Sequence, residues 1–128
     1  MRFQLTCEIP WSPDLVFRAL RDDMPRVSSW LPRLDSVTPV SRAQAGRKVQ
    51  QTRAWRVTRD ALPAVAQALS SRASVGWLDH STWDEDALTC DWTNVPEDWP
   101  DAVTARGSFR FEEDRGETVF IAEGDLIL

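Results

Sequence analysis

From residue 34 onward the chain adopts a period of two. Strand-like runs at 34–44, 47–59, 75–84, 87–95, 103–113 and 117–128 are separated by breakers or short acidic turns. Alternation of this kind marks strands that turn one face to a core. Ala45-Gly46, Asp84-Glu85-Asp86 and Asp114-Arg115-Gly116 have hairpin length, so the runs they join pair antiparallel. The chain is thereby held to an antiparallel meander, and its function to what the two faces of such a sheet can do.

The remaining segments fit around that meander. Residues 3–9 place Phe3, Leu5, Cys7 and Ile9 on one side and Gln4, Thr6 and Glu8 on the other, the pattern of a half-buried strand. In Ser12-Pro13-Asp14 the serine can cap, the proline suits the first helical turn and the aspartate favours the positive dipole end. Leu15, Val16, Ala19 and Leu20 follow at helical spacing, which predicts a helix over about 13–22. A second short helix over 25–30 must stop before Pro32, because the residue preceding a proline is pushed out of the helical region. Between the third and fourth strands, Leu62, Val65, Ala66 and Leu69 recur at helical spacing after Pro63 and predict a helical insertion.

Length and charge set outer bounds. A chain of 128 residues with 42% apolar residues can bury the core of one domain, taken as 1–128, and has no room for two ordinary ones. Its net charge of −5 gives no footprint for nucleic acid or anionic membranes. No apolar stretch reaches the length that spans a bilayer, and a charge interrupts the first apolar run, unlike a signal peptide. A cytoplasmic protein is expected. Cys7 and Cys90 lie far apart without metal-type spacing and are expected as buried thiols.

One strand, two short helices and a six-stranded meander resemble the START-like, or helix-grip, architecture of the SRPBCC superfamily, which includes polyketide cyclases and lipid-transfer proteins. The resemblance rests on the strand 3–9, the Pro-x-x-Val-Phe pattern at Pro13, Val16 and Phe17, Trp30-Leu31-Pro32, and Gly116-x-Thr118 leading into Ile121-x-x-Gly124-Asp125-Leu126. It implies an α+β fold with a curved antiparallel sheet of six to seven strands and two short N-terminal helices. Members of the superfamily normally close their cavity with a long C-terminal helix. Here Leu128 falls inside the last strand-like run, so a truncated C-terminus, a partner chain, a second copy, or a fold-back of 60–74 is expected to account for the cover. An uncovered aromatic face would exceed the apolar patch that monomers usually expose.

Alternation sorts the side chains by face. Inward-facing positions are Val49, Gln51, Arg53, Trp55 and Val57 on the third strand and Trp77, Asp79, Ser81 and Trp83 on the fourth. The later strands add Leu88, Cys90 and Trp92, then Val103, Ala105, Gly107, Phe109 and Phe111, then Phe120, Ala122, Gly124, Leu126 and Leu128. The inner surface is thus aromatic, from Trp55, Trp77, Trp83, Trp92, Phe109, Phe111 and Phe120, with Gln51, Arg53, Asp79 and Ser81 as its few polar groups. That composition suits a pocket for a small hydrophobic ligand, although the same rings could simply fill the core. If Arg53 and Asp79 both point inward they should meet each other or a ligand's polar end, since an unpaired buried charge is strongly disfavoured.

Catalytic signatures are missing. The sole histidine, His80, adjoins Asp79 and so points to the opposite face. The chain carries no nucleophile elbow, zinc-helix motif, P-loop or dinucleotide-binding glycine set. The acidic segments 84–86 and 112–114 lack the spaced ligands of a calcium loop and are expected as solvated tips. Glu97-Asp98-Trp99-Pro100-Asp101 reads as another loop, with Trp99 under the sheet edge or at an interface. The expected function is non-catalytic binding of a small hydrophobic or lipid-like molecule, with no metal or cofactor. The alternatives are a polyketide cyclase, aromatase or dehydratase that uses Arg53 and Asp79, and a self-association or protein-interaction module that uses the open face.

Overall fold

The computed structural model describes residues 1–62, 64–68, 74–98, 100–101 and 103–127. The elements are β1 (Arg2–Ile9), α1 (Pro13–Asp22), α2 (Met24–Val27), a 3-10 turn at Ser28–Trp30, β2 (Leu34–Ala45) and β3 (Lys48–Thr58). A second 3-10 turn at Arg59–Ala61, α3 (Ala64–Ala68), β4 (Ser74–Asp84), β5 (Thr89–Pro96), β6 (Thr104–Asp114) and β7 (Glu117–Ile127) follow. These strands all join one seven-stranded antiparallel sheet in the order β1-β7-β6-β5-β4-β3-β2. The expected strand boundaries hold to within about two residues. Pro63, Leu69, Trp99 and Leu128, which entered the expectations above, lie outside the described residues, as do the side chains of Val65 and Ala66.

The topology follows from the turns. Arg115 and Gly116 both take positive φ, 54° and 81°, the tight geometry whose twist matches antiparallel strands. Asp84 organises the β4–β5 connection, its Oδ1 accepting the N–H groups of Asp86 and Ala87 at 3.0 and 3.2 Å. Because β1 pairs with β7 and β2 lies at the far edge, the chain between them must cross the whole sheet, and α1, α2 and the following turn make that crossing. Pro39 sits on edge strand β2 beside an irregularity in register, where a missing N–H is tolerated.

The crossing helix builds the core. Phe17 of α1 is fully buried and meets the rings of Trp83 and Phe111 edge-on, with centroids 5.4 and 5.3 Å apart. Val16, Val49, Cys90 and Trp92 complete the buried cluster. It occupies the hairpin end of the inner face. The side chains sort to faces as the alternation predicts: Cys90 pairs with Phe109, Phe109 with Ala122, and Phe111 with Phe120.

β1 departs from expectation. Its residues Phe3 and Leu5 are 43% and 57% exposed, and Cys7 is exposed while Cys90 is buried. The face assignment stands, but the half-buried strand and the buried Cys7 thiol do not. β1 is an edge strand, and α1 packs on β6 and β7 rather than on β1, so alternation there marks a side without covering it.

Candidate functional site

The register lays the inner face out in rows that run across the strands. One row is Gln51, Ser81, Trp92, Gly107 and Gly124, and the next is Arg53, Asp79, Asn94 and Ala105. Beyond them Trp55 pairs with Trp77, their rings stacked 5.9 Å apart and 10° from parallel. On the other side, Trp83 and Phe111 lie buried beneath α1, and Phe109 and Phe120 pack against them. The structure therefore brings Gln51, Arg53, Trp55, Trp77, Asp79, Trp92 and Asn94 into adjoining rows. Trp83, Phe109, Phe111 and Phe120 form the aromatic floor beside them. Asn94 extends the Trp92 alternation by two residues.

Arg53 is the centre of the polar part. Its Nη2 lies 3.5 Å from Asp79 Oδ2, and its guanidinium carbon stands 5.5 and 5.6 Å from the rings of Trp55 and Trp83. Its Nη1 donates to the carbonyl oxygens of Leu20 and Arg21 at 2.8 and 3.4 Å. Gln51 Nε2 donates to the Arg21 carbonyl at 3.0 Å. These carbonyls end α1, where the helix dipole is negative and free acceptors need partners, so a cation is favoured there. Asp79 also accepts the Trp55 indole N–H at 3.1 Å. Burial pushes Asp79 above the ordinary carboxylate range, with Arg53 and the Trp55 N–H working against it. Burial likewise pulls Arg53 down, opposed by the charge on Asp79.

A second feature is the way Trp92 is seated. Gly107 and Gly124 pair directly across β6 and β7. A Cβ on Gly107 would meet the Trp92 ring at 2.7 Å, and one on Gly124 would meet the Phe3 ring at 2.5 Å and Trp92 at 2.9 Å. The indole lies over this bare backbone and stacks on Phe3, with centroids 6.3 Å apart. Among the described residues, three buried side-chain polar atoms have no hydrogen-bond partner, and all three are on this face: Arg53 Nε, Trp92 Nε1 and Asn94 Oδ1. Such atoms are uncommon in folded proteins, and each one calls for a physical explanation.

At the α1–sheet junction, Arg21 binds Asp22 through two nitrogens at 2.8 and 3.0 Å and reaches Glu85 at 3.7 Å. Arg42 binds Asp22 at 2.9 Å and Arg18 binds Glu85 at 3.4 Å. Burial alone would raise Asp22, but the two guanidinium groups hold it below the ordinary carboxylate value. This network fastens the helix to β2 and to the β4–β5 turn.

The outer face is of another kind. An open groove of about 860 Å³ crosses it, flanked by Thr52, His80, Thr93, Arg106 and Asp125. His80 faces it, as the alternation requires, with Nδ1 2.9 Å from Thr52 Oγ1. The groove is lined mainly by polar and charged side chains, whereas small-molecule sites carry mostly hydrophobic and aromatic side chains with a few orienting polar groups. In side-chain composition the inner face meets that description and the groove does not. Among the described residues no group of three or more His, Cys, Asp or Glu side chains is placed to hold a metal ion. None of the described helices is long and apolar enough to cross a membrane.

Comparison with known proteins agrees with the architecture. No protein-family model matches the chain, and no curated protein matches its sequence. Among solved structures it is similar to TTHA0849 from Thermus thermophilus, with TM-score 0.72 and 17% identity over 100% of this chain and 75% of that one. It is also similar to the Zhui aromatase/cyclase from Streptomyces sp. R1128, with TM-score 0.72 and 14% identity over 99% of this chain and 67% of that one. A third is Ara h 8.0201, with TM-score 0.69 and 14% identity over 100% of this chain and 78% of that one. The chain has the START-like, helix-grip fold in its sheet and N-terminal helices.

Proposed function

We propose that this chain binds a small hydrophobic or lipid-like molecule against the inner face of its sheet and does not transform it. The observation that carries this reading is the set of partnerless buried polar atoms among aromatic rings: Arg53 Nε, Trp92 Nε1 and Asn94 Oδ1. Trp55, Trp77 and Trp92 supply contact area over the floor of Trp83, Phe109, Phe111 and Phe120, while the partnerless Nε of Arg53, held in place by Asp79 and flanked by Gln51, orients the ligand's polar end. Catalysis is disfavoured by engagement. Arg53 already serves two carbonyls and Asp79, Asp79 already accepts from Trp55, and His80 stands on the far side of the sheet.

A cyclase-type reaction is the second reading, favoured by the buried juxtaposition of Arg53 and Asp79 and by the likeness to an aromatase/cyclase. Such a site would polarise a carbonyl with Arg53 and move a proton through Asp79. The exposed Phe3 and Leu5 on β1 favour a further element of the proposal, a second copy or partner chain covering this edge of the inner face. Native mass spectrometry of freshly purified protein tests all of this together. A co-purified small molecule retained by the chain and lost on unfolding is the expected result. Turnover of a polyketone, abolished in Arg53→Ala, would transfer the assignment to the cyclase reading.

A further inference from the structure

Resting on that binding reading, we infer that the ligand is uncharged at neutral pH and presents a hydroxyl group, phenolic or alcoholic, to the inner face. The first argument is charge balance. This part of the face buries one cation and one anion, Arg53 and Asp79, with side chains only 4% and 9% exposed. Their charges cancel. The nearest further cation in register, Arg42 opposite Gln51, is already paired with Asp22. A carboxylate entering here would be desolvated beside Asp79 without a cation of its own, and an ammonium group would meet Arg53 in the same way. Fatty acids and amines are therefore selected against.

The second argument is hydrogen-bond bookkeeping. The partnerless atoms comprise two N–H donors, on Arg53 and Trp92, and one acceptor, on Asn94. Arg53, Asp79 and Asn94 are successive partners across β3, β4 and β5, and Trp92 precedes Asn94 by two residues on the same face. A hydroxyl both accepts and donates, so it can answer donors and acceptor alike. A carboxylate only accepts, and would set an anion against the Asn94 oxygen. An apolar ligand would leave every one of these atoms unanswered. All three are closed to solvent in this structure, so an entering ligand displaces existing packing. The half-exposed Phe3 ring stacked on Trp92 is the solvent-side part of that packing.

Naphthalene, 2-naphthol and 2-naphthoate share one ring system and differ only in this group. Isothermal titration calorimetry of the full chain at pH 7 should find 2-naphthol at least tenfold tighter than 2-naphthoate and several-fold tighter than naphthalene. In Asn94→Ala, and in the near-isosteric Asn94→Leu, 2-naphthol should weaken about fivefold while naphthalene is unchanged. The wild-type comparison stands even if both variants fail to fold. Binding of 2-naphthoate as tight as that of 2-naphthol overturns the hydroxyl inference alone. Failure of all three compounds to bind overturns the binding reading itself, and the inference falls with it.

Discussion

Arg53 Nη1 lies 2.8 Å from the carbonyl oxygen of Leu20, across 33 residues of chain. The cation of the inner ion pair is therefore also the donor that closes the C-terminal end of α1. One side chain fastens the crossing helix to the sheet and sets the polarity of the candidate site.

Breaking this pair from one side should be costly. Asp79→Asn leaves Arg53 charged, 3% exposed and without its counter-ion, and the expected loss is about 3–5 kcal/mol in urea unfolding. The double variant Arg53→Met/Asp79→Leu should lose less than the two single losses added together, because neither charge is stranded. Additive losses would show that the two groups do not interact.

The seat of Trp92 makes a second prediction. Alanine in place of glycine usually favours an ordered strand, yet Gly124→Ala would drive a methyl into Phe3 and Trp92. Thermal or urea unfolding should show a loss of about 1–3 kcal/mol. Adding Phe3→Ala should recover part of it, and no recovery would place the clash elsewhere.

Much of this site is legible in the alternation of strands. Period two assigns Gln51, Arg53, Trp55, Asp79 and Trp92 to one face with no structural information, because on a pleated strand sidedness is a local property. Continuing two residues from Trp92 within the strand-like run 87–95 reaches Asn94, so the same alternation assigns it to this face, but nothing in the sequence marks its side-chain oxygen as partnerless. Cross-strand facts are not legible. The Gly107–Gly124 pair depends on the register of β6 against β7, and the tie from Arg53 to Leu20 depends on where α1 crosses. Burial on β1 fails for the same reason, since a strand's sequence names its sides but not its neighbours.

The network at α1 predicts a pH dependence. Asp22 is held below the ordinary carboxylate value by Arg21 and Arg42, so the folded state binds its proton less readily than the unfolded chain. Its contribution is present above the unfolded value of about 4 and is lost as pH falls through the folded value. Wild type should exceed Asp22→Asn by up to about 1 kcal/mol at pH 7, given partial solvent screening. The gap should shrink steadily as pH drops below about 4. A gap that widens in acid would reverse the sign of the argument.

The two thiols should behave differently. Cys7 is exposed, whereas Cys90 is fully buried and its burial raises the thiol far above its ordinary value. Thiolates, not thiols, react. Under native conditions Ellman's reagent should titrate Cys7 promptly and reach Cys90 only on unfolding. Equal native rates would show that the core around Cys90 opens freely.

The central claim is that ligand meets the indole-rich inner face and not the polar outer groove. It is tested most directly by two-dimensional NMR of the 15N-labelled chain titrated with 2-naphthol. The account predicts that the indole N–H signals of Trp92 and Trp55 shift in a saturable way while the amides of Thr52, His80 and Thr93 stay in place. Shifts confined to those outer-face amides, with both indole signals unmoved, would contradict it.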